Sequence, residues 1–295
     1  MTAIIDGPET DAGKRRAVQD FIMGRHCEVE QVGFFGVGAD GPALIMTGGE
    51  FCGNAARSAA WHYLGGRPGE TALHVSGASR PIRAGVCVPA GVVHRSTAGS
   101  ECSAAPVAWA EMPLGGGCIA KNVGKGMFWV EMEGISHLVL EPDASVEHLA
   151  GLTCETSSYP LLLHDKRKPS QWYAGADLLL RRAEYVIKRC AIHTDIAYGV
   201  IFTEIVGSDM KIHPCVFVKT AAAAFYETAC GSGSAAVAIA LGARLSGRSG
   251  GSGSGAQLSL LQPSGKYIEA SVDYDGARAI RAAISGPVEE VPLTL

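Results

Sequence analysis

The chain holds 295 residues, 47% of them apolar, with 25 Lys and Arg against 29 Asp and Glu for a formal charge of −4. That length and apolar share suffice for one large core or two medium ones, and a charge so small and evenly spread excludes nucleic acid and acidic membrane surfaces as expected partners. The stretch from Met1 to Met23 is broken by Asp6, Glu9, Asp11 and Lys14 to Arg16, so it lacks a signal-peptide core; no apolar run approaches the roughly 20 residues of a membrane span, and the cytoplasm is the expected compartment.

The first predicted element is an amphipathic helix carrying Val18, Phe21 and Ile22 on one face and Lys14 and Arg15 on another. Val32 to Phe35 and Pro42 to Met46 read as strands, followed by a helix from Cys52 to Leu64. Ala72 to Val75 and Pro81 to Val88 alternate as a hairpin around Gly77-Ala78-Ser79, and Ala108 to Leu114 closes this half.

The second half repeats the order. Met127 to Glu133 and Ser136 to Leu140 are strand-like, Asp177 to Lys188 is helical by its Leu178, Leu179, Ala183, Val186 and Ile187 spacing, and Gly199 to Val206 and Met210 to Lys219 are strands. A second cysteine-headed helix follows. Gly247 to Gly255 is a glycine-serine loop, Gln257 to Val272 a hairpin turning at Pro263-Ser264-Gly265, and Arg278 to Val291 a strand returning to the first half. The expected fold class is therefore α+β: two pseudo-symmetric halves, 1–115 with the returning strand 278–295 and 116–277, each a curved sheet around a central helix, with the site at their seam.

Nine cysteines is an odd number, so a complete disulfide framework is impossible and a reducing compartment fits. No CxxC or HExxH spacing occurs, and although His213 and Cys215 alternate on one strand, no metal site is expected. Two cysteines stand apart because each heads a glycine-rich helix start, in Gly49-Glu50-Phe51-Cys52-Gly53-Asn54-Ala55-Ala56-Arg57 and in Glu227-Thr228-Ala229-Cys230-Gly231-Ser232-Gly233-Ser234-Ala235. A thiol there faces unpaired N–H groups and the positive end of the helix dipole, which favour the thiolate and attract an anion. Two matched thiols can work from opposite sides of one carbon. Two rivals remain open: a phosphate-binding module, opposed by the absence of a lysine after Gly233 and of GxGxxG, and a thiol redox protein, opposed by the absence of CxxC.

These motifs resemble those of the cofactor-independent amino acid racemases of the diaminopimelate epimerase fold and, within that family, the histidine racemases of opine metallophore pathways. The resemblance spans residues 30 to 265: Glu30-Gln31-Val32-Gly33-Phe34, Glu50 to Ala55, Val75-Ser76-Gly77, Glu111-Met112-Pro113, Cys230 to Gly233 and Gln262-Pro263. It implies inversion at Cα by Cys52 and Cys230 as a base and an acid that exchange roles with direction, with no pyridoxal phosphate or other cofactor. It further implies that the N–H groups of Gly53, Asn54, Gly231 and Ser232 hold the substrate α-carboxylate, where charge grows as the carbanion forms. Glu30 and Glu227 then hold the α-amino group or an imidazole N–H. The expected partner is a small-molecule amino acid, and the expected assembly a homodimer.

Departures from the diaminopimelate pattern bear on substrate. The asparagine expected nine residues before the first cysteine is Ala43, the Gly-Asn-Pro-His segment is Gly134-Ile135-Ser136-His137, and a Thr-Asn-Val-Asn segment is replaced near Ala197-Tyr198-Gly199. A second ammonium-carboxylate head finds few partners there, so histidine is the expected substrate and diaminopimelate or another amino acid the alternative. The family's opening strand and its asparagine turn have no match at the start of this sequence, which leaves two readings: a late recorded start, or another segment that fills in. Extra chain falls around Pro89 to Ala105 and Gly151 to Lys188, as lids or dimer contacts.

Overall fold

Two helices, each starting at a cysteine, are wrapped by one continuous sheet. The computed structural model describes residues 1–89, 94–95, 101–102, 105–142, 144, 176–190, 196–219, 223–245 and 254–293. The first half runs β1 (Thr2–Asp6), α1 (Ala12–Arg25), β2 (Gln31–Gly38), β3 (Gly41–Met46), α2 (Gly53–Leu64), β4 (Gly69–Val75) and β5 (Ile82–Cys87); then come the two-residue strands β6 (His94–Arg95) and β7 (Glu101–Cys102), and β8 (Val107–Glu111). The second runs β9 (Lys121–Gly124), β10 (Met127–Met132), β11 (Ile135–Leu140), α3 (Ala176–Arg189), β12 (Ala197–Val206), β13 (Asp209–Val218), β14 (Ala223–Tyr226), α4 (Gly231–Leu245), β15 (Ser254–Leu261), β16 (Tyr267–Asp275) and β17 (Arg278–Gly286).

The pairing shows the repeat. In the first half β1 and β2 are parallel, β2 and β3 antiparallel, β3 and β4 parallel, and β4–β5–β8 antiparallel. In the second β11 and β12 are parallel, β12 and β13 antiparallel, β13 and β15 parallel, and β15–β16–β17 antiparallel. Helices α1 and α3 make the two equivalent crossovers. The halves join where β17 lies between β16 and β8, antiparallel to both, with Ile284 opposite Ala110. The chain end beyond β17 reaches the first half, where Leu293 packs with Ala3 and Ile22.

The central helices are built to be enclosed. On α2 the buried residues are Gly53, Ala55, Ala56, Ala59 and Ala60, a small-residue face that lets strands approach, and the helix ends at Gly65 with φ +60°, a conformation glycine adopts without a Cβ penalty. On α4, Ala235 through Ile239 are all buried, as expected of a helix covered on every side. Both pack into one core with Met112, Val139, Ile201, Val216 and Ile284, so the apolar core runs through the seam.

Of the two readings of the chain start, the structure shows a segment in the opening strand's place: β1 pairs in parallel with Gln31–Phe35, and Gly7-Pro8 rather than an asparagine turn follows it. The sequence reading passed over β9 and β14. The expected loop 247–255 and the extra segments 89–105 and 151–188 lie mostly outside the described residues, apart from β6, β7 and α3. No helix among the described residues is long and apolar enough to cross a membrane.

Candidate active site

Each cysteine caps its helix through its own side chain. Cys52 is extended (φ −131°, ψ 112°) and its Sγ accepts the N–H of Ala55 at 3.4 Å; Cys230 Sγ accepts the N–H of Gly233 at 3.2 Å. These bonds satisfy one orphan donor of each first turn. Cys230 is set further by Gln262, fully buried, whose Oε1 accepts the Cys230 N–H at 3.0 Å while its Nε2 donates to Ser234 Oγ and the Leu260 carbonyl.

The two helix starts abut. A Cβ on Gly53 would stand 3.4 Å from Ser232 N, and one on Gly231 would stand 3.2 Å from Asn54 N, so the four predicted carboxylate-binding residues meet at one point. First-turn N–H groups have no intrahelical carbonyl to bond, and here two positive helix ends face one small space. The Asn54 side chain ties the halves instead, donating from Nδ2 to the Ala229 carbonyl at 2.8 Å and accepting from Arg57 Nε at 3.1 Å.

A hydrogen-bonded chain runs from Cys52 to Glu227. The Cys52 thiol donates to Gln31 Oε1 at 2.8 Å and Gln31 Nε2 donates to Glu227 Oε1 at 2.5 Å, which brings the Glu227 carboxylate close enough to act electrostatically on both thiols. Cys230 Sγ lies 3.7 Å from Ser232 Oγ, which is 2.9 Å from His137 Nε2. Burial drives His137 down to about 3, so the ring is neutral; its Nδ1 is buried without a partner, pressed against Gly199. The ring and the sulfur both face the Ser232 hydroxyl, which has one hydrogen to give to one of them.

The expected lowering of the thiol pKa is overturned. Burial, and next the Glu227 carboxylate, push both Cys52 and Cys230 above the ordinary thiol range, and the N–H groups of Ala55 and Gly233 oppose this only in part. The helix-mouth argument counts local N–H groups alone, whereas loss of water and a nearby negative charge disfavour a thiolate more. Glu227 is itself raised to about 8, chiefly by burial and also by Glu30 and Glu50, against the lowering effect of Cys230 and the terminal ammonium.

The sign of the linkage follows. The folded chain keeps a proton on Glu227 where the unfolded chain has lost it, so this stabilisation is complete below about 4.5 and is lost as pH rises to about 8. Glu227→Gln is expected to flatten that decline and to melt above the native protein at the alkaline end. Thermal unfolding of both proteins across this range checks it, and parallel curves would refute it.

Glu30 and Glu227 diverge. Glu30 is buried and engaged with backbone, accepting the Thr228 N–H at 3.1 Å with the Met1 ammonium 3.6 Å away, while Glu227 ends the hydrogen-bonded chain from Cys52. Sequence reasoning passed over three site residues, though each lay inside a motif it quoted: Gln31, His137 and Glu50. Glu50 is buried two positions before Cys52, with Oε2 unpartnered and burial raising its pKa. Ser76 fixes its backbone by donating to the Glu50 carbonyl at 2.7 Å. His213 has both ring nitrogens engaged, by Tyr226 Oη and Glu204, and no group of three or more metal-ligating side chains occurs among the described residues.

No protein-family model matches the chain, and no curated protein matches it. Among solved structures it is similar to a phenazine biosynthesis PhzC/PhzF protein from Clostridium difficile strain 630, at 12% identity over 100% of this chain and 92% of that one, with a TM-score of 0.46. It is also similar to a phenazine biosynthesis PhzF-family protein from Enterococcus faecalis, at 12% identity over 97% and 87% of the two chains, TM-score 0.48. A third is methylitaconate-delta-isomerase, at 12% identity over 98% and 90%, TM-score 0.41.

Proposed function

We propose that the chain is a cofactor-independent amino acid racemase that inverts Cα with Cys52 and Cys230, and that histidine is its substrate. The observation that carries this reading is the convergence of two cysteine-headed helix starts at one seam, with Gln31 tying Cys52 to Glu227, whose carboxylate acts on both thiols. The substrate α-carboxylate sits at the N–H groups of Gly53, Gly231 and Ser232, which neutralise it and the charge that grows on removal of the α-proton. One sulfur takes that proton while the other returns one from the opposite face. A substrate carboxylate shielded by the helix ends and an α-ammonium beside Glu227 and Glu50 offset the burial and negative charge that hold both thiols protonated. In that environment a thiolate becomes accessible near neutral pH.

Histidine fits better than diaminopimelate because Ala43, Ile135 and Tyr198 offer no side-chain amide or cation to a second carboxylate. The unpartnered Glu50 oxygen offers an acceptor for an ammonium or an imidazole N–H. Purified protein without pyridoxal phosphate, incubated with single amino acids in deuterated water, should exchange the α-proton of histidine and accumulate the other enantiomer. The kcat/KM for histidine should exceed that for diaminopimelate by about tenfold or more, a difference of about 1.4 kcal/mol in transition-state binding. Preference for diaminopimelate would refute the substrate, and exchange with neither would refute the reaction.

A further inference from the structure

We propose that Gln31 is a positioning residue: its amide holds Cys52 as the protonated thiol while Glu227 is charged, and so decides which sulfur is free to act as base. The geometry is specific. A carbonyl oxygen carries no hydrogen, so the hydrogen lying between Cys52 Sγ and Gln31 Oε1 at 2.8 Å belongs to the sulfur; a thiolate there would set two electron-rich atoms against each other. The amide cannot turn its Nε2 toward Cys52 without presenting Oε1 to Glu227, to which Nε2 now donates. That reversed arrangement is favourable only when Glu227 carries a proton to donate.

Gln31 therefore links two ionisations without itself accepting or losing a proton. With the amide as it stands, Cys230 can pass its proton to Glu227 and become the base while Cys52 remains the acid. With the amide reversed and Glu227 protonated, Nε2 supports a Cys52 thiolate and Cys230 keeps its hydrogen. Both states hold the same number of protons on the three groups, as a racemase working in both directions requires. The other groups acting on Cys52 are the N–H groups of Ala55 and Asn54, which favour the thiolate, the carboxylate of Glu50, which opposes it, and the Arg57 guanidinium on α2.

This role rests on the two-thiol reading for its purpose, but its test needs no substrate, so the two can fail separately. Alkylation of Cys52 by iodoacetamide, followed by peptide mass spectrometry above the pH of about 8 at which Glu227 is ionised, reports the thiolate fraction. Gln31→Met keeps the length of the side chain and removes its acceptor, and should speed alkylation about three- to tenfold, the net of a pKa fall near one unit and a weaker nucleophile. Gln31→Glu keeps an acceptor facing the thiol and adds negative charge, so alkylation should stay at or below the native rate. Acceleration in both variants would make Gln31 a packing residue that merely limits access, and no acceleration in Gln31→Met would overturn the proposal outright.

Discussion

Cys52→Ala and Cys230→Ala are each expected to lower racemisation by about a thousandfold or more, the range associated with removing a positioned general acid or base. Neither should unfold the chain. Each change deletes one buried sulfur that accepts a helix N–H, at 3.4 Å from Ala55 or 3.2 Å from Gly233, and that also meets Gln31 Oε1 or Ser232 Oγ, a loss of about 1–3 kcal/mol against a typical domain stability of about 5–15 kcal/mol. The variants should differ in what they retain. A chain with one working sulfur can remove and return the α-proton on one face, so in deuterated water each variant should label one enantiomer without inverting it, and the two should choose opposite enantiomers. Near-native racemisation by either variant, or label entering the same enantiomer in both, would remove the two-base mechanism.

Gly231→Val is expected to damage both stability and turnover. Its Cβ would fall 2.3 Å from Ile284 Cδ1, 3.1 Å from Asn54 Oδ1 and 3.2 Å from Asn54 N. The isoleucine methyl can swing away, but the Asn54 backbone belongs to the opposing helix start and moves only with it. Overpacking of this kind costs about 1–3 kcal/mol, and an error of about 1 Å between reacting groups can cost about a hundredfold in rate. Denaturant unfolding measured beside kcat/KM separates the two effects. A variant less stable but fully active would show that the spacing of the helix starts does not matter to the chemistry.

Legibility in the sequence followed the range of the interactions. The cysteine helices and the Gly65 terminus were readable because capping acts within a few residues. So was α3, whose buried Ala183 and Val186 sit at helical spacing. Strand β14 escaped because Ala223 through Tyr226 are all buried and show no alternation, and β9 because it is almost wholly exposed. Strand β1 has one fully buried residue, Ala3, and takes its identity from pairing with β2. The Gln31–Glu227 bond joins residues 196 positions apart and the His137–Ser232 bond residues 95 apart, so nothing near any one of them announces it. The thiolate expectation failed for the same reason, since burial and Glu227 act on the sulfurs through the assembled core.

The position of β17 between β16 and β8 has a consequence for how the protein lives as a repeat. Its backbone closes the second half's hairpin and at the same time supplies the first half's missing neighbour, with Ala283 to Gly286 paired to Glu111 through Ala108. A chain divided at its internal boundary would leave β8 as a bare sheet edge and open the common core to water, the condition under which strands seek other chains. The two copies of the motif have thus given up independence. Because β17 and the core belong to both halves, the chain is expected to unfold in one transition, with a destabilising change in either half lowering the stability of the other.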